Sequence, residues 1–198
     1  FGVAGSEAAL PEDLTEFSLE DLMNIEVTSV ARRPQRQSEA AAAIFVITAD
    51  DIRRWGVTNI PDALRMVPGV QVARIDANKW AVSARGFNGR FAARLLVLMD
   101  GRSVYSPLYS GVYWESQDTF IEDIERIEVI RGPGATLWGA NAVNGVINII
   151  TKGAASTTGT RVYAGMGNEL EAFGGARHGF HVGDDTAARV YVKYKKHD

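Results

Sequence analysis

The amino-acid sequence predicts an α+β fold: a small mixed-sheet domain with short helices over residues 31–152, followed by antiparallel β-hairpin strands over residues 153–198. Three observations predict it. Short apolar runs are interspersed with capped helical segments as far as Lys152. The texture then changes to Gly, Ala, Ser and Thr, as in a linker. Beyond that linker, apolar and polar residues alternate with period two, the mark of strands with one apolar face.

Residues 1–30 read as a flexible leader. They hold the acids Glu7, Glu12, Asp13, Glu16, Glu20, Asp21 and Glu26 and no base, and Arg32, Arg33 and Arg36 follow at once. Within the leader, Ser18 to Met23 is a short capped helix, with Glu20 and Asp21 in the first turn where the helix dipole favours acids. Ile25 to Val30 is β-prone and ends before Pro34.

The middle of the chain gives the mixed domain. Ile44 to Thr48 is a short buried strand. Thr48 caps a helix running to Trp55, which Gly56 stops. A second helix, Asn59 to Met66, carries Pro61 in its first turn and breaks at Pro68-Gly69. Val70 to Ala73, Ala81 to Ala84, Leu95 to Met99, Arg126 to Ile130 and Val146 to Ile150 read as strands, and a short helix falls near Thr119 to Ile124.

Three strands close the chain. In the last, Ala188, Val190, Val192 and Tyr194 alternate with Arg189, Tyr191, Lys193 and Lys195. Gly167-Asn168 and Gly183-Asp184-Asp185 make tight turns between the three. Strands of about ten residues with one apolar and one polar face form outer-membrane barrels. They form soluble sheets packed on one face equally well, and the pattern alone fits both.

Composition excludes several classes. Lys and Arg number 21 against 24 Asp and Glu, so the chain lacks the basic excess of a nucleic-acid binder. With no cysteine there is no disulfide, thiolate zinc site or cysteine nucleophile. A transmembrane helix needs about 20 consecutive apolar residues, and no such run exists. The glycine-rich Gly132 to Gly139 follows a strand, but it lacks a Gly-Lys-Ser/Thr ending and Pro133 removes a donor, so it makes a poor phosphate cradle. His178 and His181 fall on opposite faces of one strand and cannot converge on a metal. No catalytic set, metal site or cofactor is expected.

One stretch carries a resemblance. Ile124-Glu-Arg-Ile-Glu-Val-Ile-Arg-Gly-Pro-Gly-Ala-Thr-Leu-Trp-Gly-Ala-Asn-Ala-Val-Asn-Gly-Val-Ile-Asn-Ile-Ile-Thr-Lys152 resembles the plug domain of TonB-dependent outer-membrane receptors. Ile60 to Val70, Ser83-Ala-Arg-Gly-Phe87 and Val97-Leu-Met-Asp-Gly-Arg102 match the same family in the same order. The resemblance implies a plug filling a barrel of about 22 strands, with residues 153–198 as linker and first three strands of an incomplete outer-membrane β-barrel. A barrel of that size at about ten residues per strand needs far more chain, so residues 1–198 are expected to be a truncated receptor.

The resemblance also implies partners and sites. The protein would sit in the outer membrane of a Gram-negative bacterium, with plug and leader facing the periplasm and lipid around the complete barrel. It would take up a ferric siderophore or another small scarce nutrient, powered by TonB and its inner-membrane energising complex. Ile25, Glu26, Val27, Thr28, Ser29 and Val30 look like the TonB box, which can add as a strand to a partner's sheet; the same segment could instead be the first plug strand. Arg85 and Arg131 resemble plug arginines that pair with barrel-wall glutamates, which would lie beyond residue 198, or they pair locally, as Arg131 with Glu128 or Arg85 with another plug acid. Loop residues Asn78, Trp80, Arg90, Tyr105, Tyr109, Tyr113 and Trp114 are candidates for substrate contact, since aromatic loops suit a flat or chelated ligand; each aromatic could equally pack in the core. Unpaired strand edges lead us to expect self-association through residues 160–196. The competing reading is a free-standing periplasmic ligand-binding or signalling module.

Overall fold

The computed structural model describes residues 26–27, 35–36, 43–86, 88–92, 94–132, 138–139, 141–168, 170–183 and 186–197. Strands β1 (Glu26–Val27) and β2 (Gln35–Arg36) pair antiparallel. Then come β3 (Ile44–Thr48), α1 (Ala49–Trp55), α2 (Ile60–Leu64), β4 (Val70–Arg74), β5 (Trp80–Ala84), β6 (Leu95–Met99), β7 (Arg102–Ser103), β8 (Ile124–Arg131) and β9 (Gly145–Thr151). Strands β10 (Gly159–Met166), β11 (Ala172–His181) and β12 (Ala187–Lys196) end the chain. The expected helix at Ser18 to Met23 lies outside the described residues, as do Ile25, Thr28, Ser29 and Val30.

A five-stranded sheet in the order β3-β8-β9-β6-β7 organises the first part of the chain. Its pairs are antiparallel except β6 with β9. Alternation along each strand separates two faces. Ile47, Leu95, Val97, Ile127, Val129, Ile147 and Ile149 point into the main core with Ile52 of α1, Ile60 and Leu64 of α2, and Val82 of the separate β4–β5 hairpin. Ile44, Leu96, Leu98, Ile130 and Val146 form a second cluster on the other face, where Val27 of β1 is fully buried beside Ala142. Because both faces are covered, β6 reads as an unbroken apolar run.

Local chemistry sets the helix ends. Asp51 N–H donates to the Thr48 hydroxyl at 3.2 Å and Thr48 N–H returns to the Asp51 carboxylate at 2.8 Å, a reciprocal cap. Asn59 caps α2 by accepting from Asp62 N–H at 2.9 Å. The second helix is shorter than its sequence signal. Beyond Leu64 the chain closes through tighter turns, Met66 N–H to Ala63 and Val67 N–H to Leu64, on the way to Pro68-Gly69. Near Thr119 the expected helix is one 3₁₀ turn, Ile121–Asp123.

The β6–β7 hairpin shows how one short motif ties the sheet together. Asp100 and Gly101 sit at φ 48° and 78°, the left-handed pair of a two-residue hairpin turn. The Asp100 carboxylate then accepts from Thr151 N–H at 2.8 Å and from the Thr151 hydroxyl at 2.9 Å, pinning the end of β9. Asp100→Ala is expected to cost about 1–2 kcal/mol through those two bonds, read as a drop in urea midpoint with an unchanged slope. Asp100→Asn tolerates the left-handed backbone and keeps an acceptor, and should recover most of the loss.

Strands β10–β12 form their own antiparallel sheet. Val162, Met166, Phe180, Val190, Val192 and Tyr194 share its exposed face. Arg161, Tyr163, Phe173, Arg177, Arg189, Tyr191, Lys193 and Lys195 share the other, which lies on the 118–123 segment. Two cross-strand pairs on that inner face set a ring against a glycine: Tyr163 opposite Gly175 and Phe173 opposite Gly165. A Cβ on Gly175 would fall 2.8 Å from the Tyr163 ring, and one on Gly165 2.3 Å from the Phe173 ring. Both rings lie flat where a side chain would otherwise stand.

Candidate functional site

Two loops meet at the end of the five-stranded sheet where β6 begins. One connects β5 to β6; the other leaves β7 and folds on itself through paired backbone groups of Ser106 and Gly111. Gly111 lets them touch, since a Cβ there would stand 2.7 Å from the Phe91 Cα. Phe91, Tyr109 and Tyr113 gather at this junction, with ring centroids 5.6 Å apart for Phe91–Tyr109 and 5.0 Å for each of the other pairs. Arg90 lies over the Phe91 ring at 5.1 Å and the Tyr113 ring at 5.8 Å, and donates to Glu115 at 2.7 Å.

This nest presents ring faces, phenol hydroxyls and one guanidinium held in place by a carboxylate. Burial, followed by the hydrogen bond and charge of Tyr109, holds the Tyr113 phenol above its ordinary value. Tyr113 therefore stays a neutral donor at physiological pH. Ring faces suit a flat aromatic ligand, and the guanidinium suits an anionic, oxygen-rich one.

The structure divides the residues expected from sequence to touch a ligand. Arg90, Tyr109 and Tyr113 come together in the nest. Tyr105 is half-buried and makes no ring contact with it. Asn78 is exposed on the 76–79 turn, where Asp76 accepts from Asn78 and Lys79 N–H at 3.2 and 3.0 Å. Trp80 and Trp114 correct the expectation of aromatics on open loops, because both are core side chains. Trp80 opens the fully buried strand β5 and lies beneath Arg65 and Arg74, at 5.7 and 5.5 Å. Trp114 begins a 3₁₀ turn and points inward. With Asn78 they border a separate cleft of about 140 Å³ that also touches Lys195 and His197. Phe91, Glu115 and Gly111 complete the nest; all three lie in the loops 87–91 and 102–115 that the sequence marks for substrate contact, Phe91 as an aromatic and Gly111 and Glu115 with no signal of their own.

A model of the TonB-dependent Receptor Plug Domain matches residues 36–146. The chain belongs to that family. Among solved structures, it is similar to the ferric-catecholate import receptor Fiu of E. coli K12, at 30% identity and TM-score 0.63 over 84% of this chain and 22% of that one. It is similar to the siderophore receptor PirA of Pseudomonas aeruginosa, at 29% identity and TM-score 0.56 over 78% of this chain and 28% of that one. The alcaligin receptor FauA of Bordetella pertussis shares the fold, at 20% identity and TM-score 0.66 over 87% of this chain and 29% of that one. The chain thus spans under a third of these receptors' lengths, and the region matched holds the plug and the first barrel strands.

Among the described residues, Arg85 and Arg131 meet backbone carbonyls of the plug and not β10–β12. Arg85, held at φ 61°, donates to the Arg131 carbonyl at 3.5 Å, and Arg131 donates to the Pro68 carbonyl at 3.1 Å. Glu128 pairs instead with Arg126 at 2.9 Å, because residues two apart on β8 share a face. Where plug and strands touch, the plug supplies acids and the strands supply bases. Asp118 receives Lys193 at 2.5 Å and Lys195 at 3.0 Å. Glu122 pairs with Arg161. Asp123, buried, faces Arg177 at 3.2 Å and Arg189 at 3.5 Å. Phe120 is fully enclosed between them, 5.1 Å from Tyr163 and 6.0 Å from Tyr191.

Burial pushes the Asp118 carboxyl up, but the hydrogen bonds and charges of Lys193 and Lys195 outweigh it and hold it below its ordinary value. A lowered folded-state value stabilises contact above the unfolded value and loses that contribution as pH falls through the folded one. The plug–strand contact is therefore expected to be intact at pH 5 and to weaken only below about pH 4, the ordinary Asp range. Amide exchange of β12 followed from pH 6 to pH 3, corrected for intrinsic rates, checks this; weakening already near pH 6 would contradict it.

Proposed function

We propose that this chain is the plug and first wall strands of an outer-membrane receptor of a Gram-negative bacterium that takes up ferric siderophores or similar metal chelates. The nest of Arg90, Phe91, Tyr109 and Tyr113 carries the reading, since a cation over aromatic rings fits an anionic, ring-bearing chelate. The likeness to Fiu and PirA, named for ferric-catecholate import and siderophore reception, supports it. The apolar exposed face of β10–β12 supports a lipid-facing wall over a free-standing periplasmic module. In this division residues 1–30 are the periplasmic leader, 31–152 the plug and 153–198 the linker and wall. Arg85 and Arg131, which meet only backbone carbonyls among the described residues, are proposed to face wall carboxylates supplied by other strands.

TonB is the proposed energy source, recruited through Ile25 to Val30. Val27 is buried and Glu26–Val27 is paired with Gln35–Arg36, so TonB must displace a short strand to bind there. Growth of an iron-starved strain dependent on this receptor, fed catecholate, hydroxamate or thiazoline iron chelates one at a time, tests the whole reading. Growth on at least one chelate, lost when TonB is deleted, is expected. Failure on all three, or growth independent of TonB, would overturn it.

Isolated residues 1–198 are expected to self-associate. Among the described residues, the outer edges of β10 and β12 have no strand partner, and they flank an apolar face. Light scattering at micromolar concentration should show dimers or larger species. A clean monomer would refute strand-edge pairing.

A further inference from the structure

We propose that the segment 118–123 is a charge-coded latch: it holds the plug to its first wall strands and can be released without unfolding the plug. The inference rests on the plug-and-wall reading above and assigns it a working part.

Two separable bodies meet at this segment. The plug has its own two-faced core, built on the five-stranded sheet, and no residue of β10–β12 belongs to either buried cluster. Among the described residues, the backbones of the wall strands pair with one another and not with the plug sheet. What joins the bodies is side-chain chemistry, and its charge pairs fall on one short segment; outside it Arg189 reaches the Thr151 hydroxyl at 3.2 Å and Lys195 the Thr58 carbonyl at 3.4 Å. Asp118, Glu122 and Asp123 each meet at least one base, and all three wall strands contribute: Arg161 from β10, Arg177 from β11, and Arg189, Lys193 and Lys195 from β12. Carbonyl groups add to the grip, with Lys193 donating to Thr119 at 2.6 Å and Arg189 to Lys152 at 2.8 Å.

The segment is itself anchored to the plug. Lys152 donates from its backbone to the Asp123 carbonyl at 2.8 Å and from its ammonium to the Glu122 carbonyl at 3.0 Å. Ile121 and Ile124 are part of the main core. The acids are thus fixed to the plug and the bases to the wall, with Phe120 as the apolar pin between them. Removing the acids' charge removes the attraction that orients the strands while leaving the plug's own core contacts in place.

The test is amide hydrogen exchange on residues 1–198 in detergent micelles, comparing the wild type with the neutral triple variant Asp118→Asn, Glu122→Gln, Asp123→Asn. The proposal expects β10–β12 amides to exchange at least tenfold faster, with β6 and β9 amides unchanged. A wall-side variant, Lys193→Met with Lys195→Met, should give the same pattern without touching the plug. Uniformly faster exchange in plug and strands in both variants would mean one cooperative unit and overturn the latch. Unchanged exchange everywhere would mean that the charges contribute nothing, and would also overturn it. Chelate binding does not enter the readout, so the latch and the uptake reading can fail separately.

Discussion

Phe120→Ala is expected to lower the unfolding free energy by about 3–5 kcal/mol, the usual cost of emptying a buried aromatic site. The ring is wholly enclosed, touching Tyr163 edge-on and Tyr191 at a tilt. Both neighbours stand on a hydrogen-bonded sheet and cannot close over the gap without shifting whole strands. A domain with about 5–15 kcal/mol in hand is left marginal by such a loss. Urea unfolding followed by tyrosine fluorescence checks the value, and Phe120→Leu should restore roughly half. A loss under about 1 kcal/mol would show that Phe120 is not packed between plug and strands.

On the proposed uptake reading, Arg90→Ala should weaken binding of the iron chelate that supports growth by about 10- to 100-fold. The basis is the ~1.5–3 kcal/mol of a hydrogen bond to a charged group, at 1.4 kcal/mol per decade. The guanidinium is already oriented by Glu115, so its ordering costs little on binding. Glu115→Gln should weaken binding less, because the cation remains and only its tether loosens. Tyr113→Phe, which removes the neutral donor and keeps the ring, should fall between them. Titration of each variant with the same complex gives the ranking. An unchanged affinity in Arg90→Ala would remove the nest from ligand recognition.

Much of the fold could be read from local pattern. Leu95 to Met99 lies where its apolar run places it, and the helix from Thr48 to Gly56 carries both end signals in its own residues. Local pattern fails where partners are distant. Lys193 and Lys195 are visible as the polar face of a strand, but Asp118 lies 75 residues before Lys193 and nothing between them encodes their meeting. The pairing of plug acids with strand bases is hidden for that reason. The two misplaced tryptophans failed differently. Polar neighbours made them look exposed, yet Asn78 and Lys79 belong to a turn, and Glu115 reaches Arg90 rather than water. The nest was half legible: its tyrosines and Arg90 carry chemistry a sequence displays, whereas Gly111 contributes only by what it lacks.

The rings laid over Gly165 and Gly175 have a consequence for clearance between plug and strands. Two missing methyl groups keep Tyr163 and Phe173 low, so the inner wall is shallow where the plug leans on it. Alanine at position 175 would push the end of the Tyr163 ring from its place over the backbone, beside Phe120. The spacing of plug and strands is thus gauged in part by two hydrogen atoms, and a single added carbon would move a ring that faces the plug.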